Sequence, residues 1–339
     1  MENFDRLKKH LEERLFWKAE EIEITPMSGG FSNLTFRIDT PIGAFALRRP
    51  PYGNTVSKAH DMERECRVLE LLYQSDYKKI PKPVLYFEDA EIIGAPFFIM
   101  EFVEGPVLRN RVPREWGFTE SHFRKLSENT ISTLLDLHLI NLQLSGLAAL
   151  GKPEGYVLRQ VEGWIYRYQR AKTDAIPEME KISNWLIANL PEKENAGLIH
   201  NDFKYDNLIL EVENPTEIKA VMDWEMATVG DPLMDLGTTL AYWAQEDDPE
   251  ILKQFNLTYL PGNMTRQEVI DFYNLRSPLE LDNMLFYYAF GLFKVAVIAQ
   301  QIYKRFAMGL TQDPRFGALI YVVKAAAEKG EKAILTEKI

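Results

Sequence analysis

The spacing of apolar residues changes once along this chain. In "NLTFRID" (33–39), Leu34, Phe36 and Ile38 alternate with polar residues, the pattern of a half-buried strand. From about Arg109 the period lengthens. Phe123, Leu126, Thr130, Leu134 and Leu137 recur at helical spacing and predict a helix over 119–139. A β-rich beginning followed by helices implies an α+β chain of two lobes, and 339 residues is too long for one small core.

Local signals divide it further. "TPIG" (40–43) supplies turn residues, "AFALRR" (44–49) returns as a second strand, and Pro50 and Pro51 end it. Ser57 is suited to cap a helix running to about Gln74, on which Met62, Glu65, Leu69 and Leu72 share one face. A glutamate in that stripe needs a partner, because an unpaired buried charge is expensive. "VLYFED" (84–89) and "PFFIMEFVEG" (96–105) form a second hairpin around Gly94. Helices are expected around 156–170 and 178–190. "LIHNDFKYDNLIL" (198–210) then interrupts them with two short apolar runs around a charged loop. This stretch is expected to pair with "IKAVMD" (218–223) across the turn "EVENPTE". The division is a first lobe over 1–104, a crossover near 101–107, and a helical lobe over 105–339 with a short hairpin inserted.

Composition excludes some functions. A formal net charge of −11 argues against general affinity for nucleic acid. The single cysteine, Cys66, rules out an intramolecular disulfide and fits a reducing cytoplasm. The first twenty residues contain no apolar run of the secretory kind. The most apolar segment, 284–303, carries Lys294 at its centre and is expected as a buried helix, not a membrane span.

Three segments carry chemistry. "SGGFSN" (28–33) precedes a strand, and its Gly29, Gly30, Phe31 and Ser32 could bring backbone amides close to phosphate oxygens. Alone, such a pair of glycines is more often a turn. In "HNDFKYDN" Asp202 and Asn207 lie five apart, and Asp223 ends the next strand. An acid, an amide and a second acid at adjacent strand ends can position a hydroxyl and hold Mg²⁺, which prefers oxygen ligands. Either residue alone would be read as a turn cap. Finally, Arg48 shares a strand face with Ala46, and Glu65 lies on the inward face of the next helix. Paired, they would satisfy the glutamate and aim a cation at a phosphate; the bland alternative is a structural salt bridge.

A loop over phosphates, a strand cation, a helix glutamate, a base and two metal ligands, in this order, are the parts of a phosphoryl-transfer site. The chain resembles the aminoglycoside phosphotransferase family, within the protein-kinase-like fold, from about Ile24 to Lys304. "MSGGFSN", "LRRPP", "HDMERECRVL", "IGAPFFIMEFVEG", "HNDFKYDN" and "VMDWEMATVGDPLMDLG" are similar to the branch that includes the kinase-like domain fused to acyl-CoA dehydrogenases. The resemblance implies ATP and Mg²⁺ as cofactors and a small-molecule hydroxyl as acceptor. It implies that Asp202 orients that hydroxyl, that Asn207 and Asp223 bind metal, with Glu225 joining through water, and that Lys204 lies near the γ-phosphate. Gly29, Gly30, Phe31, Ser32, Arg48 and Glu65 would serve the phosphates. Ala46, Glu101 and Val103 would hold the adenine, the last two through backbone groups. His200 becomes a structural brace, and Asp231 and Asp235 brace the loop or cap a helix.

The chain departs from the family pattern in three places. Arg48 replaces the usual strand lysine, an exchange that is not conservative. Asn201 stands where glycine is usual, so a positive φ is expected there. The glycine-rich loop lacks G-x-G-x-x-G spacing. Aromatics and cations in 164–172 and 285–306 suit an apolar or anionic acceptor such as a hydroxy acid or hydroxyacyl-CoA, although such aromatics are more often core. The alternatives are a nucleotide-binding pseudokinase and an aminoglycoside, sugar or choline kinase. A metal-dependent phosphatase would need a further carboxylate cluster.

Overall fold

The computed structural model describes residues 4–27, 33–51, 61–109, 111–254 and 256–339. The proposed phosphate loop residues Gly29, Gly30, Phe31 and Ser32, and the cap Ser57, lie outside them.

The first lobe is built on one antiparallel sheet. Its strands are β1 (Glu23–Pro26), β2 (Leu34–Thr40), β3 (Gly43–Arg49), β4 (Pro83–Phe87) and β5 (Phe97–Glu101), in the order β1-β2-β3-β5-β4. Alternation decides which residue faces which layer. Phe36, Ile38, Leu47, Phe97 and Ile99 pack outward under α1 (Asp5–Leu15), with its Leu7 and Leu11. Ala46, Phe98 and Met100 face inward, toward α2 (Met62–Gln74) and the second lobe. Helix α2 starts later than expected. Asp61 caps it by accepting from Arg64 N at 2.9 Å. Arg64 in turn donates to Leu150 O (3.0 Å) and Ala227 O (2.8 Å), which pins α2 to the second lobe.

The crossover is tied down as it leaves β5. Phe102 N donates to Ala44 O at 3.1 Å, and Leu210 N to Pro106 O at 2.9 Å. Gly105 passes so close to Leu210 O and Ile209 that any Cβ would collide with both.

The second lobe contains α3 (Glu120–His138), α4 (Tyr156–Ala171) and α5 (Pro177–Ala188), close to the expected spans. Next come β6 (Gly197–Ile199), β7 (Leu208–Leu210), β8 (Ile218–Val221) and β9 (Thr228–Gly230). The helices α6 (Pro232–Tyr242), α7 (Glu250–Lys253), α8 (Arg266–Arg276), α9 (Met284–Ala307) and α10 (Leu319–Thr336) complete it. The expected β7–β8 hairpin forms, but the upstream run does not join it. β6 pairs with β9 instead, giving two separate two-stranded ribbons. Neither α1 nor β1 was expected from periodicity.

Helix α9 is long and apolar enough to cross a membrane by length and composition, yet most of its apolar window is buried inside the fold. Its crossing with α6 allows no side chain. A Cβ on Gly291 would strike Gly237 O, and one on Gly237 would strike Tyr287 O. Close packing leaves no room for either to relax. Gly291→Ala or Gly237→Ala should therefore destabilise the protein by about 3 kcal/mol or more in denaturant melts. Gly163→Ala in α4, where a Cβ meets only the flexible end of Arg167, should change stability by less than about 1 kcal/mol.

Candidate active site

The ribbon pairing assembles the site. Residues 200–207 carry the chain from β6 to β7, and residues 222–227 carry it back from β8 to β9. The two connections therefore run side by side at the same ends of the ribbons. Met222 N donates to Asn207 O at 2.8 Å, one step beyond the Leu208–Val221 pair. Asn207 and Asp223 are thereby brought to the same ribbon end.

The first connection holds Asp202, Lys204 and Asn207. Lys204 Nζ lies 3.0 and 3.1 Å from the two oxygens of Asp202. Asn207 Nδ2 donates to Asp202 Oδ2 at 2.9 Å and to Asp202 O at 2.8 Å. Burial opposes the charge on Asp202, but Lys204, with Lys294 behind it, outweighs that and holds the carboxyl below its ordinary range. Neighbouring Asp206 goes the other way. Burial raises it to about 6 against the pull of Lys204, and its buried Oδ1 has no hydrogen-bond partner.

His200 is a brace by geometry. Its Nε2 donates to Met222 O at 2.8 Å and its Nδ1 accepts from Asp202 N at 3.3 Å, a pairing that requires the neutral Nε2–H tautomer. Its ring packs edge-on against Trp224, with centroids 4.9 Å apart. Asn201 has φ +70°, the left-handed conformation expected where glycine is usual. Asp223 is also left-handed, at φ +67°, which no sequence signal had indicated.

Asp235 holds the loop from behind. It accepts from His200 N at 2.6 Å and Asn201 N at 2.8 Å, and His138 Nε2 lies 3.2 Å away. Burial works against this carboxylate. His138 and the backbone donors still keep it below the ordinary aspartate value of 3.8. Asp231 instead caps α6, accepting from Leu233 N at 2.8 Å.

Arg48 reaches in from β3 as a hub. Its Nε is 2.9 Å from Glu65 Oε1, and its Nη2 is 2.5 Å from Asp223 Oδ1 and 3.3 Å from Glu225 Oε2. Burial disfavours the charge, but three carboxylates more than compensate and raise its pKa. Burial raises Glu65 to about 7, with Arg48 opposing. Asn33 joins from the start of β2, donating to Glu225 Oε2 at 2.9 Å. One guanidinium facing three carboxylates leaves a negative surplus that suits a divalent cation. The donor set fits a hard ion. Asn207 spends its N–H groups on Asp202, and neither its amide oxygen nor Asp223 Oδ2 bonds a described residue. Mg²⁺ needs only one or two such oxygens, with phosphate and water supplying the rest. Among the described residues no three His, Cys, Asp or Glu side chains form a metal site on their own.

The other sequence candidates separate. Val103 makes no backbone hydrogen bond to a described residue, so its N–H and C=O are free for a ligand. Glu101 N is engaged by Lys82 O at 2.8 Å, and Ala46 is buried beneath the inward sheet face. Of the aromatics expected near an acceptor, Tyr166 is exposed, whereas Trp164, Tyr168, Phe286, Tyr288, Phe290 and Phe293 are core. They fill the contacts between α4, α6, α9 and α10 and offer no surface. Sequence reasoning noted Lys294 only as a charge in an apolar run. It is buried, and its Nζ donates to Asn201 O at 2.7 Å and Asn201 Oδ1 at 3.1 Å. A lone lysine inside so apolar a helix was the available signal.

Comparison with known proteins gives consistent matches. The model described as "Phosphotransferase enzyme family" (APH) matches residues 23–270. Acyl-CoA dehydrogenase family member 11 of Homo sapiens is 33% identical over 315 residues, covering 91% of this chain and 40% of the human protein. The chain thus spans well under half the length of that relative. A solved structure from Ralstonia eutropha, provisionally described as an aminoglycoside phosphotransferase, is 27% identical. It has a TM-score of 0.84, with 98% of each chain covered. A thermostable mutant of aminoglycoside phosphotransferase APH(4)-Ia shares the fold at 14% identity and TM-score 0.63, with 96% of this chain and 98% of that one covered.

The loop anchor can be tested by removing its charge. Asp235→Asn should cost about 3–5 kcal/mol at neutral pH, because it uncouples buried charges and faces one backbone N–H with another donor. The wild-type contribution is full above the ordinary aspartate value of 3.8 and fades as pH falls through the lowered folded value. The stability gap between variant and wild type, followed by denaturant titration, should therefore narrow below about pH 4.

Proposed function

The chain belongs to the phosphotransferase enzyme family, and from that premise we propose that it transfers the γ-phosphate of Mg²⁺–ATP to a hydroxyl of a small molecule. The observation that carries this reading is the Asp202–Asn207 bond at 2.9 Å beside Asp223, which is tied to Arg48 and only through it to Glu65. It brings a candidate base, two candidate metal ligands and a phosphate-directed cation onto one surface. The related APH(4)-Ia structure is a ternary complex with AMP-PNP and hygromycin B, a nucleotide analogue beside an acceptor.

On this reading Asp202 accepts a hydrogen bond from the acceptor hydroxyl and orients its oxygen in line with the γ-phosphorus. The new O–P bond forms as the bond to the β,γ-bridging oxygen breaks. ADP leaves, and the hydroxyl proton passes to Asp202. A carboxyl held below its ordinary range is a weak base. That suits a loose transition state in which the proton moves late and positioning supplies most of the rate. Lys204 and Arg48 carry positive charge toward the transferred group. Asn207 and Asp223 would hold Mg²⁺, which when bound would supply neutralising charge for the phosphates. The crossover around Glu101 and Val103 supports an adenine site, since the Val103 backbone is unengaged.

For the acceptor we propose a hydroxy acid or hydroxyacyl-CoA. The cation Lys204 beside Asp202 supports an anionic substrate, and the human relative carries an acyl-CoA dehydrogenase name. The buried aromatics lend no support.

One contact favours a second reading, nucleotide binding without transfer: Arg48 occupies Asp223 Oδ1 at 2.5 Å. Turnover decides between them. ATP consumption screened against hydroxy acids, their CoA esters, sugars, choline and aminoglycosides should rise with an acceptor of the first two classes. Asp202→Asn should lower turnover by at least about 100-fold while calorimetric Mg²⁺–ATP affinity stays within about threefold. Asp223→Ala should instead weaken that affinity itself, by about tenfold or more. Wild-type-like turnover in the first variant would remove Asp202 as the base, and unchanged affinity in the second would remove Asp223 from the metal.

A further inference from the structure

Asn201 is contacted from four sides, one of them the Tyr156 hydroxyl of α4, to which its Nδ2 donates at 3.4 Å. Its N–H donates to Asp235 of α6, its Nδ2 to Met226 O of the second connection at 3.1 Å, and its C=O and Oδ1 both accept from Lys294 of α9. Its φ of +70° is uncommon for residues other than glycine, although asparagine tolerates it better than most. Lys294 is 1% exposed and touches no carboxylate among the described residues. Burying an ammonium against neutral oxygens is a poor way to stabilise a core. Burial pushes its pKa down to about 8, so at neutral pH it remains charged and keeps its donors.

We infer that Lys294 is a positioning residue: by clamping Asn201 in the left-handed conformation it sets the direction of Asp202, the next residue. This deepens the phosphotransferase reading and rests on it. It also gives the asparagine a reason. Glycine would take the same φ unaided. Asparagine needs holding, and its side chain extends the hold to Met226, three residues past Asp223. The clamp thus joins the connection carrying the candidate base to the one carrying the candidate metal ligand. The close crossing at Gly237 and Gly291 joins the helix that carries Lys294 to the one whose Asp235 accepts from Asn201 N–H.

The test uses the full 339-residue chain, with Mg²⁺-dependent ATP hydrolysis and amide hydrogen exchange as independent readouts. Misplacing a reacting group by ~1 Å costs about 100-fold. Lys294→Met should therefore lower kcat by at least about 30-fold, with KM for Mg²⁺–ATP within about twofold. Exchange of peptides spanning 200–203 should quicken by about tenfold or more. Asn201→Gly should cost less than about tenfold in kcat. Lys294→Met/Asn201→Gly should match Asn201→Gly within about threefold, because glycine no longer needs the clamp. A core role for Lys294 would give additive losses instead, and additivity would overturn the inference. So would a Lys294→Met kcat within twofold of wild type. If Lys294→Met does not fold, Asn201→Ala must reproduce the kcat loss and faster exchange, or the clamp is wrong. A wild-type chain that binds Mg²⁺–ATP without turning it over would count against the kinase reading alone. The exchange data would still decide the clamp, and unchanged protection at 200–203 in Lys294→Met would sink it.

Discussion

Helices α6 and α9 cross backbone against backbone at Gly237 and Gly291, and the placement of the candidate site depends on that contact. Asp235 lies two residues before the first glycine and Lys294 three residues after the second. A buried carboxylate and a buried ammonium thus approach the same residue, Asn201, the first at its N–H and the second at its C=O. Each charge alone in a core would be expensive. Here they are satisfied largely by backbone groups of the loop, so the loop cannot move without exposing an unsatisfied charge. Rigidity of this kind is what a transfer reaction dependent on positioning requires.

Arg48 does the corresponding work between the lobes. Its guanidinium contacts Glu65 through Nε while Nη2 reaches Asp223 and Glu225, so one side chain links the sheet, α2 and the connection after β8. Lysine, a single point charge, could not hold that span with directed donors, whereas the planar fork can. Arg64 reinforces the link by fastening α2 to Leu150 and Ala227. The departure from the usual strand lysine is therefore matched by a local arrangement of carboxylates.

The legible parts of the fold are those with strong local period. The β2–β3 hairpin, α3, α4, α5 and the buried helix at 284–303 could be read because their neighbours in space are neighbours in sequence. The pairing of β6 with β9 could not, because three-residue strands carry almost no periodic signal and their partner is thirty residues away. The start of α2 was misjudged because serine and aspartate cap equally well, and aspartate at position 61 does so here. The aromatics of 164–172 and 285–306 were ambiguous for a different reason. Helical spacing identifies a face, but only packing decides whether that face meets solvent or another helix.

By itself the sequence determined the two-lobe α+β order and the site's residue types, since these follow from local spacing, while the positive φ at Asn201 was implied by the resemblance, which puts glycine there. Only the tertiary structure decided what holds those residues. Arg48 with Glu65, Asp223 and Glu225, Asp235 with the loop amides, and Lys294 with Asn201 are contacts between positions 17 to 177 residues apart. Nothing in one-dimensional spacing specifies which distant charge answers which. Close packing does, by leaving each buried charge a single place where its partners can be met.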